Sequence, residues 1–260
     1  MSDPYLDRFS GIARLYGTAA LARFRAARVA VVGLGGVGSW CAESLARSGI
    51  GHLVLIDPDD LCLTNTNRQL HAHEGNFGRP KTAALAKRML TINPEIQLSE
   101  LHAFYSPATA DDLFSDPPDA VVDAIDSLRA KCHLLARCRE LGVPAVTSGA
   151  AGGRTDATRI RVADLARTSR DPLLASVRKR LRSEHGFPKA PERGEPVAFG
   201  IDAVFSDEAP VYPTCDGEVS AERPADLPGA IGCDAGYGSV THVTATFGLA
   251  AAGRILEKLR

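Results

Sequence analysis

The chain holds six cysteines but no Cys-x-x-Cys pair. Cys41, Cys62, Cys132, Cys138, Cys215 and Cys233 stand apart, which excludes a zinc knuckle and a dithiol redox motif. No repeat or low-complexity stretch interrupts its 260 residues. The start, Met-Ser-Asp-Pro-Tyr-Leu-Asp-Arg, has no apolar core, so no secretory leader is expected and the expected location is cytoplasmic. One segment, Ala235 to Gly253, lacks Lys, Arg, Asp and Glu. Its Gly236, Gly238, Gly248 and Gly253, with interspersed hydroxyl side chains, make it a poor lipid span. It reads as a tightly packed small-residue helix, with peripheral membrane contact left open. Net charge is −1 and 45% of residues are hydrophobic, enough for one large domain with its own core.

What is present begins with Val29-Ala-Val-Val-Gly33-Leu-Gly35-Gly36-Val-Gly38, an apolar run that breaks into a GxGGxG turn. A second apolar run, Leu53-Val-Leu-Ile56, is closed by Asp57, nineteen residues after Gly38. A strand, a glycine turn and an acid at this spacing predict a nucleotide site. The glycines let the backbone approach a phosphate, the following helix start offers free N–H groups, and Asp57 can accept from ribose hydroxyls. A glycine turn demanded only by helix–sheet packing is the alternative for the motif taken alone.

Strand and helix patterns alternate onward. Strands are expected at 28–33, 52–57, 96–101, 119–123 and 144–148, and helices at 37–49, 79–91, 108–114 and 127–141. That order predicts an α/β fold with a Rossmann-like, doubly wound, mainly parallel sheet. After Gly153 the pattern changes. Residues 158–163 alternate as a half-exposed strand, and Gly and Pro become frequent beyond Gly186, so a C-terminal mixed-sheet and loop region is expected to extend the sheet. The organisation is one domain with an N-terminal helical arm (1–27), a nucleotide-binding core (28–153) and a remaining region (154–260).

The segment after Asp57 argues against a simple dinucleotide site. Asn65, Asn67 and Arg68 crowd one loop, and Lys81 opens the next helix. A planar guanidinium, a point charge and two amides suit a triphosphate, although either cation taken singly reads equally as a capped loop or a solvated lysine. Ala120-Val-Val-Asp123-Ala-Ile-Asp126-Ser127 then ends a strand with two acids. Asp126 is the candidate Mg²⁺ ligand, Asp123 reads as strand-end structure, and Ser127 as the cap of the following helix.

Between residues 167 and 193 stand eight basic and three acidic residues, about +5 on a chain of −1. Asp171-Pro172 should begin a helix whose Leu173, Leu174, Val177 and Leu181 form a buried stripe. Arg178 and Arg182 would share one face, with Lys179 and Arg180 pointing away from it. Periodicity leaves a solvated face and an RNA contact equally open. His242 reads as a core or interface histidine, while His71 and His73 lie near the nucleotide loop.

In the order GxGGVGS, LIDxDxxxxxNxNRQ, GxxK and DAIDS, the sequence resembles the ubiquitin-activating-enzyme-like (ThiF/MoeB/HesA) adenylating superfamily. Arg8-Phe-Ser-Gly-Ile-Ala-Arg14-Leu-Tyr-Gly17, Thr64-Asn-Thr-Asn-Arg-Gln69, Ser148-Gly-Ala-Ala-Gly-Gly153, Asp171-Pro-Leu, Val204-Phe-Ser206 and Val243-Thr-Ala-Thr-Phe-Gly248 look like the tRNA threonylcarbamoyladenosine dehydratases. The resemblance runs from about Arg8 to Gly248. It implies ATP as co-substrate with Mg²⁺, and adenylation of a carboxylate on tRNA. It also implies a nucleotide set of Gly33, Gly35, Gly36, Gly38, Ser39, Asp57, Asn65, Asn67, Arg68, Gln69, Lys81, Asp126 and Ser127. Arg68, Lys81 and Asp126 would be catalytic, together with Arg14 (Arg8 second) crossing a homodimer to the γ-phosphate. It assigns the basic segment, through Arg178, Lys179 and Arg182, to tRNA, and the small-residue helix to the sheet or the dimer partner. Related activators of sulfur-carrier proteins often bind zinc through paired CxxC motifs, absent here, so no zinc is expected. A monovalent cation and a cysteine-desulfurase or sulfur-acceptor partner stay open. Cys233 is a candidate thiol nucleophile by superfamily position and an inert buried thiol by chemistry, since ring closure is intramolecular.

Overall fold

The computed structural model describes residues 3–214, 216–222 and 237–260. Its centre is a seven-stranded sheet in the order β3-β2-β1-β4-β5-β7-β6. The strands are β1 (Arg28–Val32), β2 (His52–Ile56), β3 (Gln97–Leu101), β4 (Ala120–Asp123), β5 (Ala145–Ser148), β6 (Ile160–Asp164) and β7 (Asp202–Ser206). All neighbours pair in parallel except β6, which runs antiparallel to β7. This is the doubly wound sheet and mixed extension that the sequence pattern predicts. A two-stranded ribbon, β8 (Tyr212–Pro213) with β9 (Val219–Ser220), stands apart from it.

The central strands read as unbroken apolar runs because both faces are covered. Val29 and Val31 join one core layer with α4 (Gly38–Arg47), α5 (Lys81–Ile92) and α9 (Thr241–Leu259). Ala30 and Val32 point the other way, toward α6 (Ala110–Phe114), α7 (Leu128–Glu140) and α8 (Pro172–Glu184). The small-residue helix begins at Thr241, later than the uncharged stretch suggests, and continues to Leu259. Its Gly248 explains the composition: a Cβ there would lie 2.4 Å from the Val37 carbonyl oxygen, so α9 and α4 meet almost backbone to backbone. The buried face of α9 is therefore occupied within the subunit, by Val243, Phe247, Ala251 and Ile255.

The N-terminal arm consists of α1 (Pro4–Arg8), α2 (Ser10–Tyr16) and α3 (Thr18–Ala26). It packs where the strands begin. Gly51 N donates to Phe24 O at 2.9 Å and His52 N to Ala27 O at 3.1 Å. Arg8 Nη1 reaches Ile92 O, at the end of α5, at 3.0 Å. The arm thus occupies the edge opposite the glycine turn, separated from it by the length of α4, about 15 Å for ten residues.

Two local expectations are corrected. Ser127 stands at the N-cap of α7 but its side chain makes no cap hydrogen bond. His242 is exposed rather than core, and its Nε2 pairs with Thr155 O at 2.8 Å. Cys215 and Cys233 lie outside the described residues, and the four described cysteines are free thiols. No helix among the described residues is long and apolar enough to cross a membrane.

Candidate active site at the strand crossover

β1 has β2 on one side and β4 on the other, so the chain reverses winding direction at the carboxyl end of β1. Open α/β sheets form a crevice at this point. The glycine turn leaves β1 there. Gly33 has φ +88° and a Cβ on it would lie 2.6 Å from Ala124 O; one on Gly38 would lie 1.8 Å from Gly33 O. These two glycines are required by the turn itself. Gly35 has nothing within 4 Å of its Cβ position, so its backbone borders open space.

Three connected groups hold this turn. Leu34 N donates to Asp57 Oδ2 at 2.6 Å, and Asp59 N donates to Asp57 Oδ1 at 3.0 Å. Asp57 is buried, with lone pairs left over, since an ionised carboxylate accepts at about four sites. Lys81, buried at the first position of α5, lies 3.3 Å from Asp57 Oδ1 and donates to Asp59 Oδ2 at 2.7 Å. Burial works against its charge, but the two carboxylates outweigh it and hold the ammonium above the ordinary lysine range.

On the other side lies the loop 62–70. Asn65 Oδ1 accepts from Cys62 N at 3.1 Å and shapes a 3₁₀ turn at Leu63–Asn65. Asn67 Nδ2 donates to Ser239 O at 2.7 Å, joining the loop to the segment before α9. Arg68 Nη1 donates to Thr64 O at 2.8 Å and Asn67 Oδ1 at 3.0 Å. Its Cγ lies 3.2 Å from where a Cβ on Gly36 would be, so the guanidinium stem lies along the turn. Ser39 is fully buried and accepts from Leu70 N at 3.3 Å, fastening the loop to α4. Ser39 and Asn65 therefore support the loop. Gln69 is buried with its Oε1 unpaired among the described residues.

The third wall follows β4. Asp126 and Ser127 are exposed at its carboxyl end, beside Ala124, which touches Gly33. The Asp126 carboxylate has no hydrogen-bond or ion-pair partner among the described residues, so it is available as a hard oxygen donor to Mg²⁺. Those residues contain no group of three or more His, Cys, Asp or Glu that could hold a metal unaided. A Mg²⁺ ion here fits a single carboxylate completed by phosphate oxygens and water.

Sequence reasoning missed Lys131 and Arg154 as buried polar residues, and placed His71 near the nucleotide loop without its burial. Lys131 lies under the β4 edge, and its position on the stripe of α7 shared with Leu134, Leu135 and Cys138 is the signal that it points inward. His71 is buried with both ring nitrogens unpaired among the described residues. Burial, then Lys81 and His73, push it down to about 3. Arg154 is buried beyond β5, where no periodicity announces it.

The basic segment forms α8 as expected, with Asp171 Oδ1 capping Leu174 N at 2.9 Å. Its guanidiniums are largely engaged. Arg178 bonds Thr168 Oγ1, while Arg182 donates to Pro188 O at 3.1 Å and lies over the Phe199 ring. Arg180 pairs with Glu184 at 2.8 Å, whereas Lys179 is exposed and has no partner among the described residues. Arg178 and Arg182 do share a face, as the spacing predicts, but that face turns toward its own fold.

Fold and crevice together define an α/β nucleotide-binding protein with a cationic, carboxylate-edged site at the strand crossover. The ThiF family model matches residues 9–259, and the chain belongs to that family. Within it, the chain belongs with the tRNA threonylcarbamoyladenosine dehydratases. It is 48% identical over 260 residues to the enzyme of that name from Escherichia coli (strain K12), covering 100% of this chain and 96% of that protein. It is 44% identical over 257 residues to that of Haemophilus influenzae, covering 99% and 95%. The solved structure of the E. coli enzyme, TcdA, in complex with ATP matches with TM-score 0.85 and 45% identity, over 99% of this chain and 96% of that one. An AMP complex of the same enzyme matches at TM-score 0.85 and 46% identity, with the same coverage.

Proposed function

We propose that this chain catalyses the ATP-dependent dehydration of threonylcarbamoyladenosine beside the anticodon of tRNA. One arrangement carries the reading: Gly35 opens onto free space between Lys81, linked through Asp57 to Leu34 N, and Arg68, laid against Gly36, with unpaired Asp126 opposite. Two cations and one carboxylate around a glycine turn suit a triphosphate and its counter-ion.

A free carboxylate is a poor electrophile because oxide is a very poor leaving group. ATP removes that obstacle. One carboxylate oxygen attacks the α-phosphorus, the bond to the β-phosphate oxygen breaks, and pyrophosphate leaves. A nucleophile of the same side chain then attacks the acyl carbon, AMP leaves with the bonding pair, and a ring closes with net loss of water. Charge develops on the phosphates, so catalysis is electrostatic and positional. In this reading Lys81 exchanges an aspartate partner for phosphate oxygens, Arg68 turns its fork to the triphosphate, and Asp57 takes the ribose. Asp126 would hold Mg²⁺, which would supply positive charge to neutralise the phosphates.

A homodimer is part of this reading, supported by the position of the arm. Arg14 is exposed on α2, in the arm packed where the strands begin, and would serve a γ-phosphate in a partner subunit. Contact with tRNA is assigned to α8, with Lys179 as its free cation. The decisive experiment is pyrophosphate release from ATP with tRNA that carries threonylcarbamoyladenosine. Release that requires the modified nucleoside supports the reading, and release indifferent to it sinks the substrate assignment.

A further inference from the structure

Arg154 leaves the Gly152-Gly153 turn after β5 and is only 2% exposed, yet its Nε and Nη1 have no hydrogen-bond partner among the described residues. A buried guanidinium without a close counter-charge is costly, by several kcal/mol on the order of the ionic desolvation penalty. Burial pulls its pKa down, while Asp171 and Glu208 oppose this from a distance. Neither acid is turned toward it. Asp171 takes Leu174 N and Ala150 N, each at 2.9 Å, and Glu208 takes Thr155 N at 3.1 Å and Asp156 N at 3.0 Å. Among the described residues these two carboxylates bond backbone N–H groups, and Nε and Nη1 of Arg154 stay unanswered.

Two aromatic rings lie beside it. Tyr212 and Tyr237 are half-buried, with ring centroids 5.2 Å apart and planes inclined at 43°. A Cβ on Gly153 would lie 2.9 Å from Tyr237 Cδ1, so the loop that carries Arg154 lies directly against that ring. An inclination of 43° is neither the offset stack nor the edge-to-face contact that aromatic pairs prefer.

Position supplies the remaining argument, and it rests on the tRNA reading above. Along the carboxyl edge of the sheet, β5 lies two strands from β1, roughly 10 Å at about 4.8 Å per strand. A carboxylate at the α-phosphate over β1 and β4 leaves its nucleobase, at the other end of the same substituent, over β5 and β7. Arg154 and the two tyrosines stand there. Single-stranded RNA bases are typically recognised by stacking on aromatic rings while a polar group reads the base edge.

We propose that Arg154 and the Tyr212–Tyr237 ring pair form a receptor for one unstacked purine of the RNA, the rings taking its face and the guanidinium its edge acceptors. The base supplies the hydrogen-bond acceptors that the described residues do not offer.

The test is a cycle on both partners. Anticodon stem-loops with adenine, or with an abasic nucleotide, beside the anticodon are titrated against the wild-type protein, Arg154→Met and Tyr212→Leu. Wild type is expected to favour the base-bearing loop by roughly tenfold or more, and both variants to lose that preference while ATP affinity stays unchanged. Met preserves the stem and removes the buried charge; should it fail to fold, Arg154→Lys and Tyr212→Leu carry the same comparison. A preference that survives in the variants, or is absent from wild type, overturns the proposal. So does an unchanged base preference accompanied by a shallower salt dependence, which would mark a backbone phosphate contact instead. Modified-tRNA-dependent pyrophosphate release by the wild-type protein, measured alongside, reports separately on the overall reaction.

Discussion

Lys131 and Asp123 form a fully buried ion pair beneath the crevice, with Nζ 2.8 Å from Oδ2 and neither side chain exposed. Thr147 Oγ1 donates to the same oxygen at 2.6 Å, and Lys131 Nζ also donates to Thr147 Oγ1 at 3.1 Å and to Ser148 O at 3.0 Å. The network ties β4, β5 and α7 together immediately below the loop that presents Asp126. Removing one member strands a charge without water. Lys131→Met is expected to cost about 3–5 kcal/mol in urea unfolding. The double variant Lys131→Met/Asp123→Asn should cost less than Lys131→Met alone, because the stranded carboxylate is gone; a strictly additive loss would refute the coupling.

Lys81 separates catalysis from its local scaffold. Lys81→Ala should lower pyrophosphate release by about 10²–10³, the usual effect of losing one group that stabilises developing charge. Asp59→Asn removes only an exposed competitor for the ammonium and should leave the rate within a few-fold. Equal damage from both changes, measured at saturating ATP, would mean that Lys81 acts through the Asp59 contact.

His71 makes the fold acid-sensitive in a defined window. Above its ordinary value of 6.5 the ring is neutral in both folded and unfolded chains, so it contributes no pH dependence there. Below 6.5 the unfolded chain takes up a proton that the folded one refuses until about pH 3. Stability is therefore lost as pH falls through that window, by about 1.4 kcal/mol per unit. Both ring nitrogens are unpaired, so His71→Phe sacrifices no hydrogen bond. It should relieve roughly 2 kcal/mol of the loss between pH 6.5 and 5, read from denaturant midpoints.

Arg14 and Asp126 test the dimer. Mixing Arg14→Ala with Asp126→Ala subunits should restore part of the activity, because one of the two hybrid sites carries neither lesion. A verified heterodimer that stays inactive would show that Arg14 works in its own subunit or not at all.

On α8 the geometry makes Lys179 the cation to test first. Lys179 is the unpaired cation, whereas Arg178 and Arg182 are held by Thr168, Pro188 and Phe199. Lys179→Ala should flatten the salt dependence of tRNA binding by about 0.7–0.9 log units per lost contact, and leave ATP affinity alone. Arg182→Ala should instead lower the melting temperature, because its stem and guanidinium cover Phe199.

The order of elements, the parallel sheet and the glycine turn were legible in the residues themselves. Apolar runs such as Val29–Val32 fit only strands covered on both faces, and the period change at Asp171-Pro172 marks a capped helix, because both patterns are local. Gly33, Gly38, Asp57 and Lys81 were legible for the same reason: spacing along one strand, turn and helix fixes which of them meet. What the sequence could not decide is which polar side chains the fold consumes. Ser39 and Asn65 acquire their partners, Leu70 N and Cys62 N, only once the loop 62–70 folds against α4. Arg178 and Arg182 share the face that the spacing predicts, but only the folded chain brings Thr168 to the first and Pro188 and Phe199 to the second. Lys131 finds Asp123 eight positions away on the preceding strand, and Nε and Nη1 of Arg154 find no partner among the described residues. These outcomes depend on contacts between segments far apart in the chain, and a side chain's partner is set by where those segments cross, which no local period encodes.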